Sequence, residues 1–420
     1  MTIGKRLTAL AVLLACLAAL TAGGSAESPR TPEAIRFVPV ADEAFGEEGR
    51  MVIAGTPDGS RLLISGSYTL YIWDVPEGRK IPLVFSREED QEYLDQLIRS
   101  AAVSCSPVYS RLKRDKRAEF EEKTKQQADD YLASKGLSRF ESLEQAQECY
   151  DHIVPIAGRC AGMGDSFALV ECYQLGAEIV TDLRTGESRL IGTDPERRDA
   201  RFPSVIRGDK LFSKDGLLHM GTWDSDYPDE SYNFPEYAAF SGETPEIMLS
   251  YTAAALLPDD SLLFVSRGTF DSETGSTPSY LALRSAGESF YIPLGQFPGM
   301  NGPDKLLVTE NGKYALAWIG GNFYQPAVLA GLETREARET EAGLFFFAAG
   351  GNGFLAYDYR DMDNLSVVLL NPETMETRAL EVRGDFSEVG RMTIISQIVN
   401  NGRGMLFTSS EALRGYFTLE

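Results

Sequence analysis

Histidine is almost missing from this chain: His152 and His219 are the only two. Imidazole-based metal centres and catalysis by a mobile histidine therefore have little to draw on. The sequence also has no Cys-x-x-Cys pair, no His-Glu-x-x-His, no Gly-x-Ser-x-Gly nucleophile turn and no Gly-rich phosphate loop. Positive charge is scarce, since 40 Lys and Arg against 62 Asp and Glu leave a formal charge of −22. Such a field repels phosphate backbones and anionic lipid, which argues against nucleic acid as a partner. Paired carboxylates are the one catalytic class that composition leaves open, because 62 acids offer many pairs and spacing singles out none.

Long apolar runs are absent except at the start. Leu7–Leu20 follows Lys5-Arg6 and leads to Gly24-Ser25-Ala26. Fourteen residues are too few to span a bilayer, so residues 1–26 read as a secretory signal peptide and the protein as secreted or otherwise extracytoplasmic. Leu13-Leu14-Ala15-Cys16 also fits a lipobox, with a lipid anchor on Cys16 as the alternative. The apolar residues that follow Cys16 favour simple secretion.

Beyond the leader remain Cys105, Cys149, Cys160 and Cys172. An even number in an exported chain predicts two disulfides with three connectivities. Cys105–Cys149 and Cys160–Cys172 are the preferred pairs.

Against these absences stands a pattern of strands and turns. Thr56–Phe85 carries a Pro-Asp-Gly turn, an apolar strand, a second strand ending Tyr71-Ile72-Trp73-Asp74, a Pro-Glu-Gly turn and a third strand. Apolar strands running into small or polar turns recur around residues 74, 182, 241, 284, 331 and 371. The intervals are 108, 59, 43, 47 and 40, mostly near the ~40–50 residues of a propeller blade. The first is long because residues 87–150 lose the strand pattern and become rich in Glu, Lys, Gln and Ala, good helix formers. Helices are expected near Glu89–Ala101, Ser110–Ser134 and Ser142–Asp151. Removing this 64-residue span leaves one blade length. Arg111, Lys113, Arg114, Lys116 and Arg117 form a basic cluster within it, read either as a solvated helix face or as a dock for an acidic partner.

At the other end, Tyr416–Glu420 stops where an outer strand should begin. Ala34–Val40 supplies an unassigned strand, so the two ends of the chain are expected to pair and close a ring. The fold class is thus all-β: a seven-bladed β-propeller, with six or eight blades also compatible, and a helical insertion between blades 1 and 2. The division is 34–86 for the closing strand and first blade, 87–150 for the insertion and 151–420 for the rest.

On Pro57-Asp58-Gly59, Trp73-Asp74 and this spacing, the chain resembles the WD-repeat-like seven-bladed propellers, specifically their secreted bacterial members. The resemblance implies a fold and no one activity. It also implies that the insertion shares a face with the loops at 223–235, 266–278, 320–326 and 358–365. Trp223, Asp224, Asp226, Tyr227, Phe270, Tyr324, Tyr359 and Asp361 are the candidate ligand-binding residues there, being aromatic and acidic side chains on long loops. No catalytic residue and no cofactor is assigned. The clusters Asp224, Asp226, Asp229, Glu230 and Asp358, Asp361, Asp363, Asn364 leave calcium as an option. The function expected is a non-catalytic binding or scaffold protein, its partner a protein or an extracellular glycan or small ligand. The alternative is a carboxylate-dependent glycan hydrolase or lyase, with Asp224 and Asp361 as its candidates.

Overall fold

A computed structural model describes residues 31–47, 49–66, 70–150, 158–172, 177–191, 204–208, 210–213, 216–219, 251–259, 261–284, 289–299, 302–320, 325–361, 366–384, 398–400, 404–408 and 414–420. They form mostly strands, grouped in antiparallel meanders, most of them four-stranded. Sheet I holds β2 (Gly49–Gly55), β3 (Arg61–Gly66), β4 (Leu70–Asp74) and β5 (Arg79–Pro82). Sheet II holds β6 (Arg159–Met163), β7 (Phe167–Cys172), β8 (Ala177–Asp182) and β9 (Ser188–Ile191). Sheet III comprises β10 (Val205–Arg207), β11 (Lys210–Ser213) and β12 (Gly216–His219) among the described residues.

Sheet IV contains β13 (Tyr251–Leu256), β14 (Leu262–Arg267), β15 (Ser276–Arg284) and β16 (Ser289–Pro298). Sheet V contains β17 (Lys305–Val308), β18 (Tyr314–Trp318), β19 (Val328–Gly331) and β20 (Glu336–Glu339). Sheet VI is β21 (Leu344–Gly350), β22 (Gly353–Asp358), β23 (Ser366–Leu370) and β24 (Thr377–Ala379).

The seventh sheet joins the chain's two ends. Its order is β25 (Glu381–Arg383), β1 (Ala34–Pro39), β28 (Gly415–Leu419), β27 (Met405–Thr408) and β26 (Ile398–Asn400). β1 pairs antiparallel with β28, Phe37 facing Phe417, which is the pairing expected of the two ends. It also pairs in parallel with β25, a fifth strand that the pattern of turns does not suggest. Glu33 N–H donates to the Glu420 carbonyl at 2.6 Å, so the first and last strands are stitched to their tips.

The same turn chemistry recurs from sheet to sheet. In sheet I the Thr56 hydroxyl donates to Asp58 Oδ1 at 2.7 Å and accepts from the Arg61 N–H at 3.1 Å. In sheet V the Thr309 hydroxyl donates to Asn311 Oδ1 at 2.7 Å and accepts from the Tyr314 N–H at 3.1 Å. In sheet I the bond from Thr56 and those from Ser60 hold the Asp58 carboxyl down at about 2.

The turns from third to fourth strand share a second device. The N–H of Gly78, Gly186, Arg335 and Met375 each donates to the carbonyl four residues back at 2.8 Å. All four donors have positive φ. Two of these turns use glycine for that conformation, and two hold a side chain in it.

Between sheets I and II the chain is helical: α1 (Glu88–Ser104), α2 (Arg114–Lys135) and α3 (Leu143–Cys149). α2 ends on Gly136 in the left-handed conformation, and α3 begins with a capping box of Ser142 and Gln145. Leu94 and Ile98 of α1 and Ala128 and Leu132 of α2 are buried in one cluster with Ile64, Ile72 and Phe85 of the sheet I region. The helices are thus anchored by apolar burial, not by their largely polar surfaces.

Candidate recognition face

A four-stranded meander puts its first and third turns at one end and its middle loop at the other. The middle loops of sheets IV, V and VI contain Phe270, Tyr324 and Tyr359 respectively. Trp223, Asp224, Asp226, Tyr227 and Tyr324 lie outside the described residues, as do Asp229, Glu230, Asp363 and Asn364.

The three candidates that are described differ in character. Phe270 is half-buried and leads into a tight tip, where Asp271 Oδ1 accepts from the Glu273 N–H at 2.8 Å and Oδ2 from the Thr274 hydroxyl at 2.9 Å. β15 and β16 extend their pairing to Ser276–Pro298, so this corner of sheet IV is a long, hydroxyl-lined hairpin. Tyr359 packs edge-on to Phe345 and to Tyr357, both with centroids 6.4 Å away, against the apolar cluster of Phe347, Val367 and Phe417. Burial raises its hydroxyl's pKa. Tyr359 therefore packs as the sequence's core-forming aromatics do, and Asp361 is exposed beside it.

Asp358, the first carboxylate of that loop, is already engaged. Arg360 donates from Nε to Asp358 Oδ1 at 2.8 Å and from Nη2 to Oδ2 at 2.5 Å, and it also meets Glu341. These bonds hold the Asp358 carboxyl below the usual range. A fixed guanidinium occupies the lone pairs that a divalent cation would need at Asp358. Sequence reading missed Arg360, although its place two residues after an acid in a turn was visible. Among the described residues no group of three His, Cys, Asp or Glu converges as a metal site would.

The helical segment between sheets I and II carries the basic cluster. In α2 the only buried residues are Thr124, Ala128 and Leu132, so its first turns stand in solvent. Tyr109 organises that end: its hydroxyl donates to Glu121 at 2.6 Å, its ring lies 5.8 Å from Phe120, and the Arg117 guanidinium sits 5.2 Å over it. Lys116 pairs with Glu119 at 3.1 Å. Arg111, Lys113 and Arg114 are exposed and form no ion pair with any described carboxylate. Val108 beside them is 53% exposed.

The cysteines require a correction, because none of the four is in a disulfide. Cys160 on β6 faces Val170, and Cys172 lies two residues further along β7. They are diagonal neighbours, with Cβ atoms ~7 Å apart where a disulfide needs ~4 Å. Burial pushes both thiols up to about 12, and Cys160 Sγ donates to the Gly162 carbonyl at 3.2 Å. Cys149 Sγ points to the Gln127 carbonyl at 3.8 Å, while Cys105 Sγ lies 3.9 Å from the Ser104 hydroxyl. The helices bring these last two chain positions into one segment without aligning their thiols.

His219 ends β12 opposite Lys210, and His152 lies outside the described residues. Among the described helices none is long and apolar enough to cross a membrane.

No known family model and no curated protein matches this chain. Among solved structures it is similar to U3-55K at 10% identity and a TM-score of 0.40, over 92% of this chain and 98% of that one. It is similar to the WD40 repeats of RRP9 at 8% identity and a TM-score of 0.39, over 93% and 100%. An oligogalacturonate lyase in complex with manganese gives 11% identity and a TM-score of 0.40, over 94% and 98%.

Proposed function

We propose that the protein is an exported, non-catalytic binding scaffold built as a closed seven-bladed propeller. The helical segment and middle loops form its recognition face, and a protein is its partner. Support for the ring comes from the order of neighbours. First strands meet in succession, β2 with β6, β6 with β10, β10 with β13, β13 with β17, β17 with β21 and β21 with β26, while β27 returns to β2. β26 also approaches β6, so the axis is crowded at that point and binding on the rim is favoured over binding in a central funnel.

The observation that carries the reading is the exposed row Arg111, Lys113 and Arg114, which has no described carboxylate to satisfy it on a chain of charge −22. Positive charge with no described counterion beside an exposed Val108 suits an acidic protein surface.

The test is capture of partners from the envelope and secreted fractions by the full protein and by the triple variant Arg111→Glu, Lys113→Glu, Arg114→Glu. Deleting the whole segment would be a poorer control, because Leu94, Ile98, Ala128 and Leu132 belong to the same buried apolar cluster as Ile64, Ile72 and Phe85. A partner held by the native protein, released by moderate salt and lost by the variant supports the reading. Equal capture by both overturns the role of this face. Turnover of a polysaccharide by the purified protein would favour the glycan-active alternative instead.

A further inference from the structure

The first turn of α1 carries a carboxyl group that nothing in the recognition reading uses. Asp90 is 5% exposed. It accepts the N–H of Leu190 on β9, so it ties the helix to the outer strand of sheet II. Its Oδ2 is buried and has no hydrogen-bond partner among the described residues. A carboxylate in that position leaves lone pairs desolvated, whereas a carboxylic acid carries one charge fewer and keeps the acceptor for Leu190.

The groups around it do not remove the problem. At the N-cap of its helix, Arg87 contributes a favourable charge, but it is paired with Glu89 at 2.6 Å. From sheet II, Arg189 contributes a favourable charge. Glu187 nearby accepts the Ser86 hydroxyl at 2.8 Å. Around them the linker runs along sheet II, with the Val84 N–H donating to the Gly186 carbonyl at 2.9 Å and the Ser188 N–H donating to the Val84 carbonyl at 2.8 Å. The junction is therefore a backbone seam with one titratable group buried at its helical end.

We propose that Asp90 is a proton-operated latch: α1 is held firmly on sheet II while this carboxyl is protonated, and the junction loosens when it ionises. Burial raises the group from 3.8 to about 6, opposed by Arg87 and by the Leu190 N–H. The docked state therefore binds the proton more tightly than the undocked state. Docking is strongest below about pH 4, weakens as pH rises towards 6 and is level above about pH 7. A rise from 3.8 to about 6 corresponds to roughly a hundredfold change in the docking equilibrium between the acidic and alkaline limits.

The experiment is hydrogen exchange of the full protein between pH 4.5 and 7.5, read by mass spectrometry on peptides covering Gln91–Ile98 and corrected for intrinsic exchange. The native protein should lose protection there by about tenfold or more across that range. Asp90→Asn, which keeps the acceptor and cannot ionise, should stay protected throughout, while Glu122→Gln, an exposed acid of α2 with no part in the charge balance at Asp90, should follow the native profile. A flat native profile overturns the latch whether or not the variants fold. An Asp90→Asn protein that loses protection as the native one does overturns it equally.

Discussion

At the scale of single residues, the turns give the sharpest tests. Gly78 has a φ of 59°, with nothing within 4 Å of an added Cβ. Gly78→Ala should therefore cost about 1 kcal/mol of unfolding free energy, all from left-handed backbone. Arg335→Gly relieves the same conformation but gives up a guanidinium 4.3 Å over the Phe290 ring, so its net effect should be smaller. Asp58→Asn should be tolerated within about 0.5 kcal/mol, because Asn311 already fills that role in sheet V, while Asp58→Ala should cost about 1 kcal/mol. Denaturant titration separates these outcomes. Without reductant, the unfolded mature protein should show all four thiols to a colorimetric reagent, and reductant should leave its melting temperature unmoved. The sequence could suggest that Cys160 and Cys172 lie on adjacent strands. It could not show the register, and a two-residue offset decides whether two thiols bond.

Elements were more legible than contacts. Glu, Lys, Gln and Ala announce α1, α2 and α3 to within a few residues because propensity governs solvated helices. What they rest on was hidden, since the apolar residues that anchor them are few and widely spaced. Leu94→Ala should cost about 3 kcal/mol by opening a cavity under α1, whereas Lys113→Ala should change stability by under about 0.5 kcal/mol. Thermal melts of both variants check the contrast, and a small effect of Leu94→Ala would mean the helices are loosely docked. β25 escaped notice because three residues, Glu381–Arg383, carry no alternation, and a parallel partner has no turn to betray it. Of the candidate face, the aromatics were found by type, but Tyr359 proved to pack and Arg360 to neutralise. Only side-chain geometry distinguishes those roles.

For the whole molecule, strand periodicity and turn spacing foreshadow the meanders, because sheets I, II, V and VI share one hydrogen-bonded turn between their third and fourth strands. The pairing of the two ends was legible for the same reason, as a surplus strand at one end and a missing one at the other. Glu33 and Glu420 are already hydrogen-bonded, so a permutant that joins them with a short linker and opens the chain at 341–343 should fold with a similar melting temperature. A chain starting at residue 41 should be much less stable or insoluble, since it leaves β25 and β28 with open edges. Circular dichroism and size exclusion compare the two.

Because β1 is bonded along both sides, the molecule also has a mechanical polarity. A pull on the chain ahead of Glu33 runs along the strand axis, so the bonds to β28 and β25 are loaded together in shear and cannot be peeled one at a time. A tether at that end would load the sheet at a strand that is bonded on both of its sides.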